Sequence, residues 1–393
     1  MRRLQVGRGG RRENGAVRAV RGLADLANVR GMFQSRAMDR PFVRTPGRGA
    51  GGNPANRYDR LSTEAAWDGW APEEDLPPLR TEVSLERPRR VITRNSSPDV
   101  PFDRSINPYR GCEHGCVYCF ARPSHAWLGL SPGLDFETRL VARPEAPQRL
   151  ARELARPAYR PAPIAIGTNT DPYQPIEREH RIMRGLLEVL LDHRHPVAIV
   201  TKGTLIERDL DLLAEMARRR LVRVGVSLTT LDRDLARRME PRVPPPARRL
   251  QTVARLAAAG VEVRAMVSPV VPGLTDHEIE AILARAKDAG AAAASWIMLR
   301  LPLEVAPLFR DWLETHYPDR AARVMARLRE MHGGRDYDPA WGRRMRGQGP
   351  YAQMIGQRFR VAAARLGLDA DLPPLDCSRF RVPPRAGDQL SLF

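Results

Sequence analysis

Asn107-Pro108-Tyr109-Arg110-Gly111-Cys112-Glu113-His114-Gly115-Cys116-Val117-Tyr118-Cys119-Phe120 holds three of the chain's four cysteines within eight residues. A disulfide scaffold spreads its cysteines along the chain, whereas thiols crowded into one loop point to metal. The spacing is C-x3-C-x2-C, and three thiolates can anchor three irons of a [4Fe-4S] cube. With no fourth cysteine nearby, one iron keeps an open position. The amino and carboxylate groups of S-adenosylmethionine can chelate it, and an electron from the cluster then splits the sulfonium to give a 5′-deoxyadenosyl radical. Gly111 and Gly115 suit a loop wrapped closely around a cluster, and Tyr118 offers an aromatic surface beside an adenine. Zinc is the competing reading: a structural zinc takes four ligands, and His114 or His125 can complete the three cysteines.

Outward from this loop the pattern is repeated strand and helix. Ile164 to Thr168 reads as a buried strand, followed by a helix over 178–193 with Ile182, Leu186 and Leu190 on one face. Pro196 to Lys202 is the next strand, then a helix over 207–219. Val222, Val224, Val226 and Leu228 alternate as a strand, and a helix over 246–259 ends at Gly260. Val261 to Val267 alternates again. Thr275 and Glu278 form a capping box for a helix to Ala289, and Ala294 to Leu299 is a further strand. With a strand at the cysteine segment this makes about six β-α units joined by short loops, the signature of a parallel sheet and fewer than the eight of a closed barrel. The expected fold is α/β, a partial (β/α)6 TIM-type barrel over 96–316. A disordered basic arm (1–95) precedes it. A helical extension over the barrel mouth (317–372) and a flexible tail (373–393) follow.

The chain of 393 residues carries 64 Lys and Arg against 46 Asp and Glu, a formal net charge of +18. That balance favours polyanionic partners, nucleic acid first. Only Lys202 and Lys287 are lysines, so an arginine bias sets the Lys/Arg ratio but not the excess of base over acid. The first 50 residues hold 12 arginines against Glu13, Asp25 and Asp39. They read as a basic arm on nucleic acid, or as a solvated tail ahead of a start at Met32 or Met38. No run of about 18 apolar residues occurs and no apolar leader follows the N-terminus, so a cytoplasmic protein is expected.

With these residues in view, the chain resembles the radical S-adenosylmethionine superfamily, and within it the spore photoproduct lyase-like branch. The resemblance rests on Asn107 to Phe120, Gly167-Thr168-Asn169-Thr170-Asp171, Val200-Thr201-Lys202, Val226-Ser227-Leu228-Thr229, and Val267-Ser268-Pro269 with Gly273-Leu274-Thr275-Asp276. It implies Cys112, Cys116 and Cys119 as cluster ligands, and Thr168 and Asn169 at the methionyl amino group. It also places Lys202 at the methionyl carboxylate, Ser227 at the carboxylate or ribose, and Val267 with Pro269 against the adenine. Arg248 and Glu240 are weaker carry-overs and read more readily as a solvated charged face. Tyr118 and Tyr173 are candidates to border the adenine or the substrate. The loop Asp171 to Glu177 reads as a substrate or cofactor loop, or equally as a rigid structural turn made by its two prolines. An external electron donor such as a flavodoxin or ferredoxin follows from the chemistry. The lyases also use a barrel cysteine and flanking tyrosines. Here the barrel has no further cysteine, Phe120 stands at one tyrosine position, and only Cys377 remains in the tail.

The chain ends Gln389-Leu390-Ser391-Leu392-Phe393, which resembles the bacterial sliding-clamp binding motif. A loose tail can lay Leu and Phe into an apolar pocket while Gln fixes register. The leading expectation is a DNA-directed radical enzyme. Radical modification of RNA or of a peptide, and a zinc-containing DNA-binding accessory protein, are the alternatives.

Overall fold

The structure, a computed structural model, describes residues 47–58 and 79–384. Most of the basic arm and the clamp-like residues Gln389 to Phe393 lie outside the described residues. Along the chain the strands are β1 (Glu82–Leu85), β2 (Thr93–Arg94), β3 (Arg104–Ile106), β4 (Tyr109–Arg110), β5 (Arg139–Ala142), β6 (Ile164–Ile166), β7 (Val197–Thr201), β8 (Val222–Ser227), β9 (Glu262–Val270) and β10 (Ala293–Met298). The main sheet runs β10-β9-β8-β7-β6-β3-β2. Every pairing from β3 to β10 is parallel, and β2 is added antiparallel at one edge. Six parallel strands are what the β-α count predicts. A small sheet, β1-β5-β4, stands beside the cysteine loop.

Each strand is apolar toward the helices. Ile106, Ile166, Ile199, Val224 and Val263 lie in register across five strands, fully buried in one core with Leu190, Leu213 and Leu256 of the helices. Burying each such side chain contributes about 1.5–3 kcal/mol. The opposite face is mixed: Ala198, Arg223 and Glu262 share it, as do Val200, Gly225 and Arg264, and Ser227, Met266 and Ser295. Reactive groups collect at the C-terminal rim of that inner face.

Several expectations are corrected. The low-order segment does not extend through residue 95. Arg48 is buried, donating to the carbonyls of Glu137 (2.9 Å) and Leu79 (2.8 Å), and Asn56 donates to those of Ala126 and Leu130. The tail from 373 is also docked as far as 384: the Asp376 amide donates to the Arg220 carbonyl, and Arg223 donates to that of Pro373 at 2.6 Å. The capping box does not form. Thr275 Oγ1 accepts the Val271 amide and Glu278 accepts the Leu231 amide, so that helix starts at Ile279. The 178–193 helix is broken at Arg181, whose φ is 49°. Helices Ala146–Leu154 and Arg233–Met239 carried too short an apolar period to be read.

The C-terminal extension reaches the rim beside the cysteine loop, where Tyr337 and Met345 contact Arg300 and Arg300 lies over Phe120. Its helices Pro318–Met331 and Gly349–Arg365 form as expected, and the stretch between them bridges the open side of the barrel. Met345 accepts the amide of Met298 on edge strand β10. Three residues earlier the Gly342 amide reaches Asp99, in the hairpin between β2 and β3, at 2.7 Å, and Arg344 also pairs with Asp99. A sheet of six parallel strands leaves this gap, and the loop spans it.

Candidate active site

The cysteine loop leaves β4 through Gly111 at φ 73°. A Cβ there would stand 2.5 Å from Leu140 Cδ2 and 2.9 Å from the Phe136 carbonyl, so the position needs glycine. The Cys112 amide donates to Phe136 and the Val117 amide to Met239, which pins both ends of the loop. Arg122 closes it from beneath: Nε donates to the Cys116 carbonyl (3.0 Å), Nη2 to the Gly115 carbonyl (3.3 Å), and Nη2 meets Glu137 at 2.5 Å. Glu137 accepts the Gly49 and Ala50 amides as well.

Cys112 and Cys116 are buried, Cys119 is half-buried, and all three are free thiols. Burial pushes the Cys112 and Cys116 thiols up, and the neighbouring thiols add to the effect. A group of thiols that resists ionising by itself becomes a thiolate set when cationic iron is bound. Of the histidines a zinc reading would draw on, His114 turns Nδ1 to Asp171 at 3.4 Å, and His125 turns Nε2 to the Arg139 carbonyl at 2.9 Å while its Nδ1 is buried without a partner among the described residues. Among the described residues no three His, Cys, Asp or Glu side chains converge on one ion. A cube takes one thiolate per iron and spaces its ligands more widely.

Lys202 follows β7 onto the rim. Its amide donates to Asp171 at 2.7 Å and the Thr201 hydroxyl to the same carboxylate at 2.6 Å, which fixes the turn. Its ammonium lies 5.7 Å from the centre of the Tyr118 ring and makes no hydrogen bond or ion pair with any described residue. Burial works to lower the Lys202 pKa, but the charges of Cys116, Glu240 and Asp171 outweigh it and hold the group protonated. Thr168 and Asn169 are half-buried just past β6, and their side chains have no hydrogen-bond partner among the described residues. The Ser268 hydroxyl is buried and unpaired. A free cation and unpaired polar groups beside three thiols fit a zwitterionic amino-acid ligand.

Behind Lys202 lies a network that the sequence reading set aside. Glu240 is buried. It accepts the Tyr118 hydroxyl, the Thr229 hydroxyl (2.7 Å) and Arg249 Nη2 (2.7 Å), while Arg249 Nη1 donates to the Ser227 carbonyl at 2.9 Å. Burial raises the Glu240 carboxyl, but Arg249 and Lys202 more than offset it and keep it ionised. Arg248, the other carry-over, turns away to Glu207 at 2.5 Å. The signal for Arg249 was present: it continues the Val253 and Leu256 stripe at helical spacing, a buried face rather than a solvated one.

Three expected positions fall elsewhere. Tyr173 is buried under the Lys202-Gly203 turn with its hydroxyl on Asp209 at 3.2 Å, away from the mouth. The side chain of Val267 lies on the helix-facing layer, in register with Trp296, while Met266 stands on the inner face. The Asp171 to Glu177 loop is a strut: Gln174 holds Gly111 and Glu113, and Glu177 takes Tyr109 and Arg208. Cys377 sits at the opposite end of the barrel. The neighbouring Phe380 packs on Tyr159, His193 and His195 by the strand N-termini.

Residues 106–286 match the family model described as the Radical SAM superfamily. A protein of Mycobacterium bovis is 37% identical over 277 residues, covering 70% of this chain and 78% of the relative. The chain belongs to the radical SAM superfamily. Its cofactors are therefore a [4Fe-4S] cluster and S-adenosylmethionine. A Methanocaldococcus jannaschii protein is 27% identical over 240 residues, 61% of this chain and 85% of the relative; both relatives are described only as uncharacterized. Among solved structures, spore photoproduct lyase complexed with dinucleoside spore photoproduct superposes with a TM-score of 0.53 at 16% identity, over 72% of this chain and 79% of that one. A lyase mutant with bound AdoMet and the same dinucleoside gives 0.51, also at 16% identity and over the same shares of the two chains. At this identity the likeness is one of fold. Cys112, Cys116 and Cys119 lie within the matched residues, beside the rim of the six-stranded sheet. Among the described residues no helix is long and apolar enough to cross a membrane.

Proposed function

We propose that this radical SAM enzyme acts on DNA and reverts or modifies a base lesion in a photoproduct lyase-like reaction. The observation that carries the reading is the formal net charge of +18 on a chain with the lyase fold, which calls for a polyanionic substrate. When bound, the cluster and S-adenosylmethionine supply a 5′-deoxyadenosyl radical. The Lys202 ammonium holds the methionyl carboxylate by a charge-assisted bond. Thr168 and Asn169 take the methionyl amino group, and Ser227 the carboxylate or ribose. Tyr118 borders the adenine or the substrate, its ring fixed by Glu240. An external flavodoxin or ferredoxin delivers the electron. The terminal Gln389 to Phe393 recruits the enzyme to the sliding clamp, and removing those five residues abolishes clamp binding if it does.

A second reading, radical modification of RNA or of a peptide, is favoured by one observation. Among the described residues no fourth thiol stands at the mouth to return hydrogen to a product radical. Anaerobically reconstituted enzyme, given deuterated ultraviolet-damaged DNA, RNA or peptide in turn, separates the two. Deuterium in 5′-deoxyadenosine with the DNA alone supports repair; its appearance with RNA or peptide alone overturns it.

A further inference from the structure

Beside the thiol loop, four large side chains that ordinarily seek the core stand in solvent: Tyr58 is 52% exposed, Phe120 42%, Trp127 72% and Leu303 62%. They share one neighbourhood. The Tyr58 and Trp127 rings are 5.1 Å apart. Arg57 lies 4.9 Å over Tyr58, donates to the Pro123 carbonyl and pairs at 2.6 Å with Glu304, the residue after Leu303. Phe120 directly follows the cluster ligand Cys119, and the Arg300 guanidinium lies 4.6 Å over its ring. Among the described residues Arg300 makes hydrogen-bond contacts at 3.5 Å to Tyr337 and the Met345 sulfur, feels the Asp99 carboxylate, and keeps its Nε buried without a partner.

Rings facing outward, interleaved with guanidinium groups, and with the nearby Glu304 and Asp99 carboxylates already facing Arg57 and Arg344, match a chain that offers flat π-faces and negative charge together. Duplex DNA hides its base faces in the stack; an opened strand presents them. We propose that Tyr58, Trp127 and Phe120 form a stacking platform for unpaired bases of a DNA strand, with Arg300 reaching its phosphates. This rests on the DNA reading above and adds to it that the bound strand is locally opened.

The test uses the full-length reconstituted enzyme and fluorescence anisotropy with labelled deoxyoligonucleotides of about 12 nucleotides, a length in the range such sites cover. One strand carries bases and one is abasic, with the same phosphates; a ribonucleotide strand is run beside them. Trp127→Ala is expected to weaken binding of the base-bearing strand about tenfold and leave the abasic strand unchanged, with Trp127→Phe restoring most of the loss. Trp127 is exposed, and circular dichroism melting checks that the variant stays folded. Equal binding by wild type and Trp127→Ala, or an equal loss for both DNA strands, overturns the platform while leaving the DNA reading intact. If wild-type enzyme holds the ribonucleotide strand and neither DNA strand, the DNA reading itself falls and takes the platform with it.

Discussion

The Arg122 guanidinium and the Glu137 carboxylate meet at 2.5 Å with both side chains fully buried. Through this pair the thiol loop is tied to a segment more than sixty residues upstream: Arg122 holds the Gly115 and Cys116 carbonyls and Glu137 holds the Gly49 and Ala50 amides. Gly49 lies so close that a Cβ on it would come within 1.7 Å of the Gly115 carbonyl.

Glu137→Gln leaves a buried guanidinium without its counter-charge and turns amide hydrogens toward two N–H donors. Removing one partner of such a pair costs about 3–5 kcal/mol. The urea midpoint is expected to fall and iron per chain to drop after reconstitution. Unchanged values for both refute the role assigned to the pair.

Lys202→Met keeps the length of the side chain and removes its charge. Iron content is expected to stay near the wild-type level, because all three cysteines remain and Cys116 loses only a neighbouring cation. Affinity for S-adenosylmethionine, measured by equilibrium dialysis, is expected to weaken at least about tenfold, the scale of a hydrogen bond to a charged group. Lys202→Arg restores little, since a planar fork does not replace a point charge in this turn.

Alanine at Cys112, Cys116 or Cys119 is expected to abolish the brown iron–sulfur absorption. Cys377→Ala leaves both absorption and 5′-deoxyadenosine release intact, because that thiol lies by the strand N-termini with Phe380. Loss of turnover in Cys377→Ala with a full cluster contradicts this placement.

His195 gives a pH signature. Burial, aided by Arg104, depresses its pKa from 6.5 to about 4, while its bond to the Pro196 carbonyl works the other way. The unfolded chain therefore binds this proton first as pH falls. The stability gained from keeping the ring neutral is complete above pH 6.5 and is lost as pH drops toward about 4, about 3 kcal/mol in all. Urea midpoints at about pH 7.5 and about pH 5 should differ less in His195→Phe than in wild type.

The β-α alternation was legible because each strand is apolar on its helix-facing side and each long helix repeats its apolar stripe. Six parallel strands and the two C-terminal helices follow from that period alone. The thiol trio was legible because ligand spacing within one loop is a local property. Lys202 stood out through the resemblance at Val200-Thr201-Lys202 and because arginine has replaced lysine almost everywhere else.

What the sequence could not state is who faces whom across the barrel. Glu240 looked like solvated charge, and Arg249 was not singled out, because their partners, Tyr118, Thr229 and the Ser227 carbonyl, arrive from other strands and loops. Tyr173 and the side chain of Val267 carried the right chemistry on the wrong side of the layer, since the turn after β6 and the pleat of β9 decide which way each points. Residues 47–58 have no period of their own, and partners distant in sequence, among them Glu137, Asp135, Glu304 and the carbonyls of Ala126 and Leu130, give that stretch a shape. Local periodicity and ligand spacing are written along the chain; the pairing of buried charges is decided only when distant segments close on one another and exclude the water that would otherwise satisfy them.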